Sequence, residues 1–427
     1  MSDPRDLPEI EWPAGMSEAE KEELRDVLRA YDDAVNDFER DHTVIYPSEQ
    51  ERQRLFHASR NRWLKEWSKP GRCMSAGCGS RSIRRSHTIP MSGSIKRIAE
   101  NGHVVTPRFG GNGVEVLPIG IRDASTFPGF CDIHEAQFAE FESQKKMTTT
   151  DHFYLQAFRT LCREIYTKQH YRQKLQATLD DYQGLRGAFI AARVGQVQRE
   201  KPIGIKAVKF EHDPLEDRVV EQIASLSQDL KELDELYNGV LGQLRTGAGR
   251  VVMTGASLDF QLPICLSGLG ILPYRTGDVI RRALCFLAVI PETNETKIIV
   301  GAGKDHEDAL TRYLHDESST AMLARVESWM CHGSDHWFMT PSVWEAIPPA
   351  RKDAIRTRIL DTAHSIAHPV EFSILDGLRN RIVAWAESQL RDRKIVPADI
   401  NRAMKLVADE KAKLNWIGPQ NCSGKQT

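Results

Sequence analysis

The sequence predicts an α+β fold in which a zinc-stabilised module, a long helical hairpin or coiled coil, and a C-terminal α+β domain follow one another. Three observations carry that expectation. Cys73 and Cys78 form a C-x4-C knuckle, and Cys131 and His134 form a C-x2-H pair. Val219, Ile223, Leu226, Leu230, Leu233, Tyr237, Val240 and Leu244 recur in alternating steps of four and three, the seam of coiled-coil-like packing. From residue 248 onward, strand-like apolar runs mix with helical patterns.

Composition sets the outer limits. A length of 427 residues suggests about three domains. With 41% apolar and 27% charged residues, burying a sizeable core is no difficulty. The chain divides into 1–69, an acidic tail with helices; 70–147, the zinc-binding module; 148–247, the helical hairpin or coiled coil; and 248–427, the α+β domain. The N-terminus is acidic without an apolar core, so no signal peptide is expected, and no run of about 18 apolar residues spans a bilayer. A cytoplasmic protein with no membrane partner is therefore expected. Most of the eight cysteines are scattered singly (Cys162, Cys265, Cys285 and Cys331 among them), which is not a disulfide framework. The grouped ones stay reduced and free for metal.

In chain order, residues 1–16 lack periodicity and are expected to form a mobile tail. Ser17 and Glu20 make a capping box ahead of Leu24, Val27, Leu28, Tyr31, Val35 and Phe38 at helical spacing. A second helix, about 48–68, carries Trp63 and Trp67 on one face. Between the ligand pairs, 92–100 is expected to be a short helix stopped by Asn101-Gly102, with strands at 103–109 and 114–121 around a turn at 110–113. Helices from residue 151 break across Gly195, Pro202, Gly204 and Pro214 before the heptad helix. That helix pairs either with the preceding one, as an antiparallel hairpin, or with a second chain as a homodimer or partner-protein contact along 219–244.

Further on, strands are expected at 251–262, 283–290 and 297–300, a single helix over about 308–330, and more helices over 342–389. Gly301-Ala302-Gly303-Lys304 lacks both the Walker spacing and a Ser or Thr after the lysine, so a turn is expected there. Cys331, His332 and His336 have no fourth ligand nearby in sequence.

The paired residues at 73, 78, 131 and 134 suit Zn²⁺, which takes four tetrahedral sulfur and nitrogen ligands. Three cysteines and a histidine close the coordination sphere, the mark of a structural site. Around them, 69–108 holds eight basic residues against one acidic, Glu100, although the whole chain balances 57 basic with 59 acidic. Arg81, Arg84, Arg85, Lys96 and Arg97 are thus candidates for contacting nucleic-acid phosphates; a solvated basic face is the alternative.

Between the pairs lies Arg84-Arg85-Ser86-His87-Thr88-Ile89-Pro90, and Glu135 follows the second pair, opening a helical pattern with Phe138 and Phe141. This order resembles the HNH (ββα-metal) nuclease family on a treble-clef zinc scaffold, over roughly residues 70–145. The resemblance implies that His87 is the general base that activates water, and that Glu135, with His87, holds a catalytic divalent metal, Mg²⁺ or Mn²⁺. At the position before the histidine, where the family usually has Asp or His, this chain has Ser86. Asn101 and Asn112 are both within reach of the family's central asparagine, neither in a clear motif.

Two functions follow as expectations. One is a metal-dependent endonuclease hydrolysing phosphodiester bonds, with DNA the expected substrate. Its helical and C-terminal parts would serve recognition or control, as in bacterial antiviral defence by analogy. The other is a non-catalytic zinc-containing nucleic-acid- or protein-binding protein. They differ in whether His87 and Glu135 converge at a point distinct from the zinc.

Overall fold

The computed structural model describes residues 14–110, 113–197, 213–315, 318–392, 394–396 and 399–418. Of the expected features, the start of the tail, Asn112 and the break at Pro202 and Gly204 lie outside them. The first helices are α1 (Glu18–Arg40) and α2 (Glu49–Trp67), followed by strand β1 (Ser86–His87) and the short α3 (Lys96–Ile98). Next come β2 (His103–Gly110), β3 (Gly113–Gly120), β4 (Thr126–Phe127), α4 (Asp132–Glu135) and α5 (Ala139–Gln144). The long helices are α6 (Thr150–Gly195) and α7 (Pro214–Thr246). Four strands follow, β5 (Val251–Leu258), β6 (Ile264–Thr276), β7 (Val279–Pro291) and β8 (Thr296–Gly303), then α8 (Glu307–Tyr313), α9 (Ser319–His332) and β9 (Trp337–Met339). Helices α10 (Pro341–Ala346), α11 (Pro349–Leu360), α12 (Asp376–Arg391) and α13 (Ile400–Leu414) end the described chain.

Two compact units emerge, one made of residues 1–67 with 168–229 and the other of 68–167 with 230–427. In the first, Ser17 caps α1 through the expected box with Glu20. Val27 and Ala34 of α1 pack against Ile190 and Val194 of α6, and Phe38 against Tyr182. Opposite charges pair α6 with α7 in antiparallel order: Lys168 lies 2.7 Å from Asp229, and buried Arg186 lies 2.5 Å from Asp213 and 2.8 Å from Glu216. Asp213 also accepts from the backbone N–H groups of Leu215 and Glu216, capping the first turn of α7. Trp63 and Trp67, on one face of α2 as expected, are half-buried and flank His170 at ring distances of 5.9 and 5.5 Å.

The second unit is built on a seven-stranded sheet in the order β3-β2-β9-β6-β7-β8-β5, antiparallel at every pairing. Side chains alternate across a strand, so one strand feeds two layers. On β7, Ala283, Cys285, Leu287 and Val289 enter a core with Met322, Val326 and Trp329 of α9; Phe286, Ala288 and Ile290 enter the opposite core with Phe158 of α6 and Leu233 and Val240 of α7. The sheet is covered on both faces, which is why β7 is a near-continuous apolar run. The heptad seam here buries Leu230, Leu233 and Val240, with Tyr237 5.4 Å from Phe158 ring to ring. The long helical hairpin of α6 and α7 is thus intramolecular.

Several expected boundaries shift. Residues 70–147 and 248–427 do not keep separate sheets, because β2 pairs with β9 at Val105 and Met339. Asn101 and Gly102, expected to stop a helix, instead form the tight turn between Glu100 and His103, both with positive φ, 49° and 74°. The helix expected over 308–330 is two, α8 and α9, and Gly301 to Gly303 are the end of strand β8 rather than a turn.

Charge is buried at the far side of this unit. Glu327 of α9 accepts from the N–H groups of Ile374 and Leu375 and pairs with Arg379 of α12, which also meets Glu410 of α13; Glu327 and Arg379 are both 0% exposed. Removing one member strands the other's charge, so Glu327→Leu is expected to cost about 3–5 kcal/mol in urea unfolding. The double variant Glu327→Leu with Arg379→Leu should cost less than the two single changes summed; equal additivity would show that the pair is not coupled.

Candidate metal centre and adjoining polar site

The metal centre is assembled from two local turns. Cys73 and Cys78 sit on a knuckle closed by Cys73 N–H to Ser80 O at 2.9 Å and Cys78 N–H to Ser75 O at 3.0 Å. Gly77 turns it with φ of 82°, a value that favours glycine. Cys131 is the N-cap residue of α4, and His134 lies one helical turn on, so both side chains leave the same face.

The four ligand atoms of Cys73, Cys78, Cys131 and His134 lie within 4.8 Å of one another. Cys78 Sγ is 3.9 Å from Cys131 Sγ, and His134 Nδ1 is 3.5 Å from Cys73 Sγ and 3.2 Å from Cys131 Sγ. Zinc–sulfur bonds of about 2.3 Å in a tetrahedron require sulfurs about 3.8 Å apart. The arrangement is therefore consistent with a structural Zn²⁺. The Cys131 N–H also donates to Cys73 Sγ at 3.4 Å, a contact that favours the thiolate zinc requires. Cys331, His332 and His336 do not join any such group among the described residues.

Beside this centre, β1 and β4 form a short antiparallel pair, Ser86 with Phe127 and His87 with Thr126, and α4 follows β4. Two strands and a helix thus frame His87. Its Nδ1 lies 3.1 Å from the Ala124 carbonyl oxygen; as the donor there, Nδ1 holds the proton and leaves Nε2 as the acceptor. Burial lowers the His87 pKa, and Arg159 lowers it further. Ser86 is 0% exposed, and its hydroxyl accepts from the Phe130 N–H at 3.0 Å. Its oxygen is thereby engaged by the backbone just before Cys131.

Glu135 lies against the backbone of the same strand as His87. Burial raises its pKa, offset by Arg159, the Ser86 hydroxyl and the His87 backbone N–H, so its carboxylate lies directly against β1. Its Oε2 nonetheless accepts no full hydrogen bond. Two residues that the sequence did not single out complete the cluster. Arg159 of α6 is 0% exposed; its guanidinium lies 3.4 Å from Glu135 Oε1, 2.7 Å from Glu142 Oε1 and 3.9 Å from the centre of the Phe138 ring. One turn earlier, buried Gln156 donates to the Thr88 carbonyl at 2.9 Å, tying β1 to the same helix.

The basic residues do not behave as one group. Arg81, Arg84 and Lys96 are exposed, whereas Arg85 pairs with Asp123 at 2.9 Å and Arg97 donates to Gly93 O and Thr293 Oγ1. His103 is exposed and lies 2.9 Å from the Asn101 carbonyl, away from any ligand group. Asn101 is held in its turn.

Fold and site together define a mixed α+β protein with a Cys₃His cluster of metal-ligand geometry. No protein-family model, curated protein or solved structure matches this chain. Among the described residues, no helix is long and apolar enough to cross a membrane.

Proposed function

We propose that this protein is a metal-dependent endonuclease of the ββα-metal kind, cleaving phosphodiester bonds of nucleic acid. The observation that supports the reading best is His87 at the end of β1, with Nδ1 at the Ala124 carbonyl and its backbone N–H against Glu135, which lies on the helix that carries His134. In this reading His87 Nε2 takes the proton from the attacking water, and the β1–β4 pair orients the ring. Glu135 supplies a hard oxygen to Mg²⁺ or Mn²⁺, and its orphaned Oε2 suits that role. Such an ion, when bound, stabilises negative charge on the phosphoryl oxygens and the leaving group. The Cys₃His centre, as a Zn²⁺ site, sets the position of α4 and hence of Glu135.

A second reading, a zinc-containing binding protein without chemistry, is favoured by Ser86 standing where the family has Asp or His and by Arg159 already neutralising Glu135. Incubation of the zinc-loaded protein with plasmid, single-stranded DNA and RNA separates the two. Cleavage in Mg²⁺ or Mn²⁺ that EDTA abolishes supports the nuclease; binding without cleavage under all these conditions supports the second reading.

Both readings use the exposed basic residues on phosphate. Replacing Arg84 and Arg85 by Ala is expected to weaken nucleic-acid binding across sequences and to flatten the plot of log K against log salt by roughly one unit for each phosphate no longer neutralised. An unchanged affinity and slope would leave them as a solvated face.

A further inference from the structure

Glu135 and Glu142 share one counter-ion, and it is a side chain. Glu135 ends α4 and Glu142 lies on α5, so both carboxylates approach the same point from the chain just after the metal centre. Arg159 enters that point from α6 and is wholly buried.

The fit of the guanidinium is poor for so enclosed a group. Its Nη2 lies 3.4 Å from Glu135, and its Nη1, though 2.7 Å from Glu142 Oε1, lies off the hydrogen-bond direction. Arg159 Nε has no partner either. Buried donors and acceptors are nearly always satisfied, and here two nitrogens of a fully buried cation, Nε and Nη1, lack a hydrogen bond, as does Oε2 of its partner Glu135. A planar fork pairs best with one carboxylate taken bidentately, whereas here each carboxylate meets a single nitrogen. A small divalent ion, which gathers oxygens from several directions, suits the two carboxylates better.

We propose that Glu135 and Glu142 are the oxygen-donor pair of a divalent-cation site and that Arg159 is its resident counter-ion, displaced when Mg²⁺ or Mn²⁺ enters. The cation's use in phosphodiester cleavage rests on the nuclease reading; the competition for the carboxylates does not. Glu142 becomes a ligand residue, and Arg159 a built-in competitor that keeps the site closed to cations at low concentration.

The test is Mn²⁺ titration of the full-length, zinc-loaded protein, followed by loss of the free-ion electron paramagnetic resonance signal. Arg159→Met, close in volume without the charge, is expected to bind one Mn²⁺ more tightly than wild type by at least about tenfold, because a like charge a few ångströms away is gone. Adding Glu142→Gln to that variant should erase the gain. Arg159→Lys, which keeps the charge but shortens its reach, is the second variant should Arg159→Met not fold, and it should show a smaller gain with the same dependence on Glu142. Folded Arg159 variants that bind Mn²⁺ no better than wild type, or a gain indifferent to Glu142→Gln, overturn the proposal. Tightened Mn²⁺ binding without any cleavage would defeat the nuclease reading and leave this site standing.

Discussion

Cys131→Ala is expected to release the zinc and to loosen the whole segment around it. Cys131 supplies a ligand and is the N-cap residue of α4, and its own N–H donates to Cys73 Sγ, so one substitution removes a bond to metal and disturbs a second ligand. Zinc binding in small modules is worth about 10–16 kcal/mol near neutral pH, far above the margin by which most domains are stable. Phe130, Phe138 and Phe141 pack into the core that also receives Phe158 and Leu161 of α6, so disorder should spread to that face of the sheet. Elemental analysis reads the metal, and hydrogen exchange reads the loss of protection around Phe130 and Phe138. Equal zinc in variant and wild type would sink the assignment.

The second large effect concerns His87. If its Nε2 accepts the proton of the attacking water, His87→Ala should lower the cleavage rate by about 10² to 10⁴ while substrate affinity persists. Nδ1 of the ring contacts the Ala124 backbone and not a zinc ligand, so its removal should leave zinc content unchanged. A structural histidine would behave otherwise, taking metal or fold with it. The assay is single-turnover cleavage with zinc content measured on the same sample; a variant that cuts as fast as wild type removes His87 from the mechanism.

What could be read from the sequence was local. The knuckle and the C-x2-H pair lie within a turn or two of chain, and residue type alone marked them. His87 and Glu135 were singled out by resemblance, and the Glu135 carboxylate lies against the backbone N–H of His87. Arg159 was not found, because it follows Phe158 in a helical pattern whose apolar stripe runs through Leu155, Phe158, Cys162 and Ile165, which places an arginine on the solvent side. Only packing against Phe138 and the two glutamates buries it. Strand β6 was missed for a related reason. Ser267, Gly268 and Gly270 interrupt its apolar run, yet a Cβ at Gly268 would stand 1.9 Å from Ser334 Oγ, and one at Gly270 2.5 Å from Ile366. The glycines that hid the strand are what the close approach of its neighbours demands.

The pairing of Val105 with Met339 sets a timetable for synthesis. Strand β9 lies between β2 and β6, so the β2–β3 hairpin reaches the rest of the sheet only through a segment made more than two hundred residues later. Contacts so distant in sequence form slowly, since the intervening loop must be closed before any pairing rewards it. While the chain is still emerging from the ribosome, a zinc knuckle and its first hairpin can exist, but the edge of β2 that awaits β9 stays open. An N-terminal fragment ending before residue 337 would carry that open edge permanently, an aggregation hazard of unpaired strands.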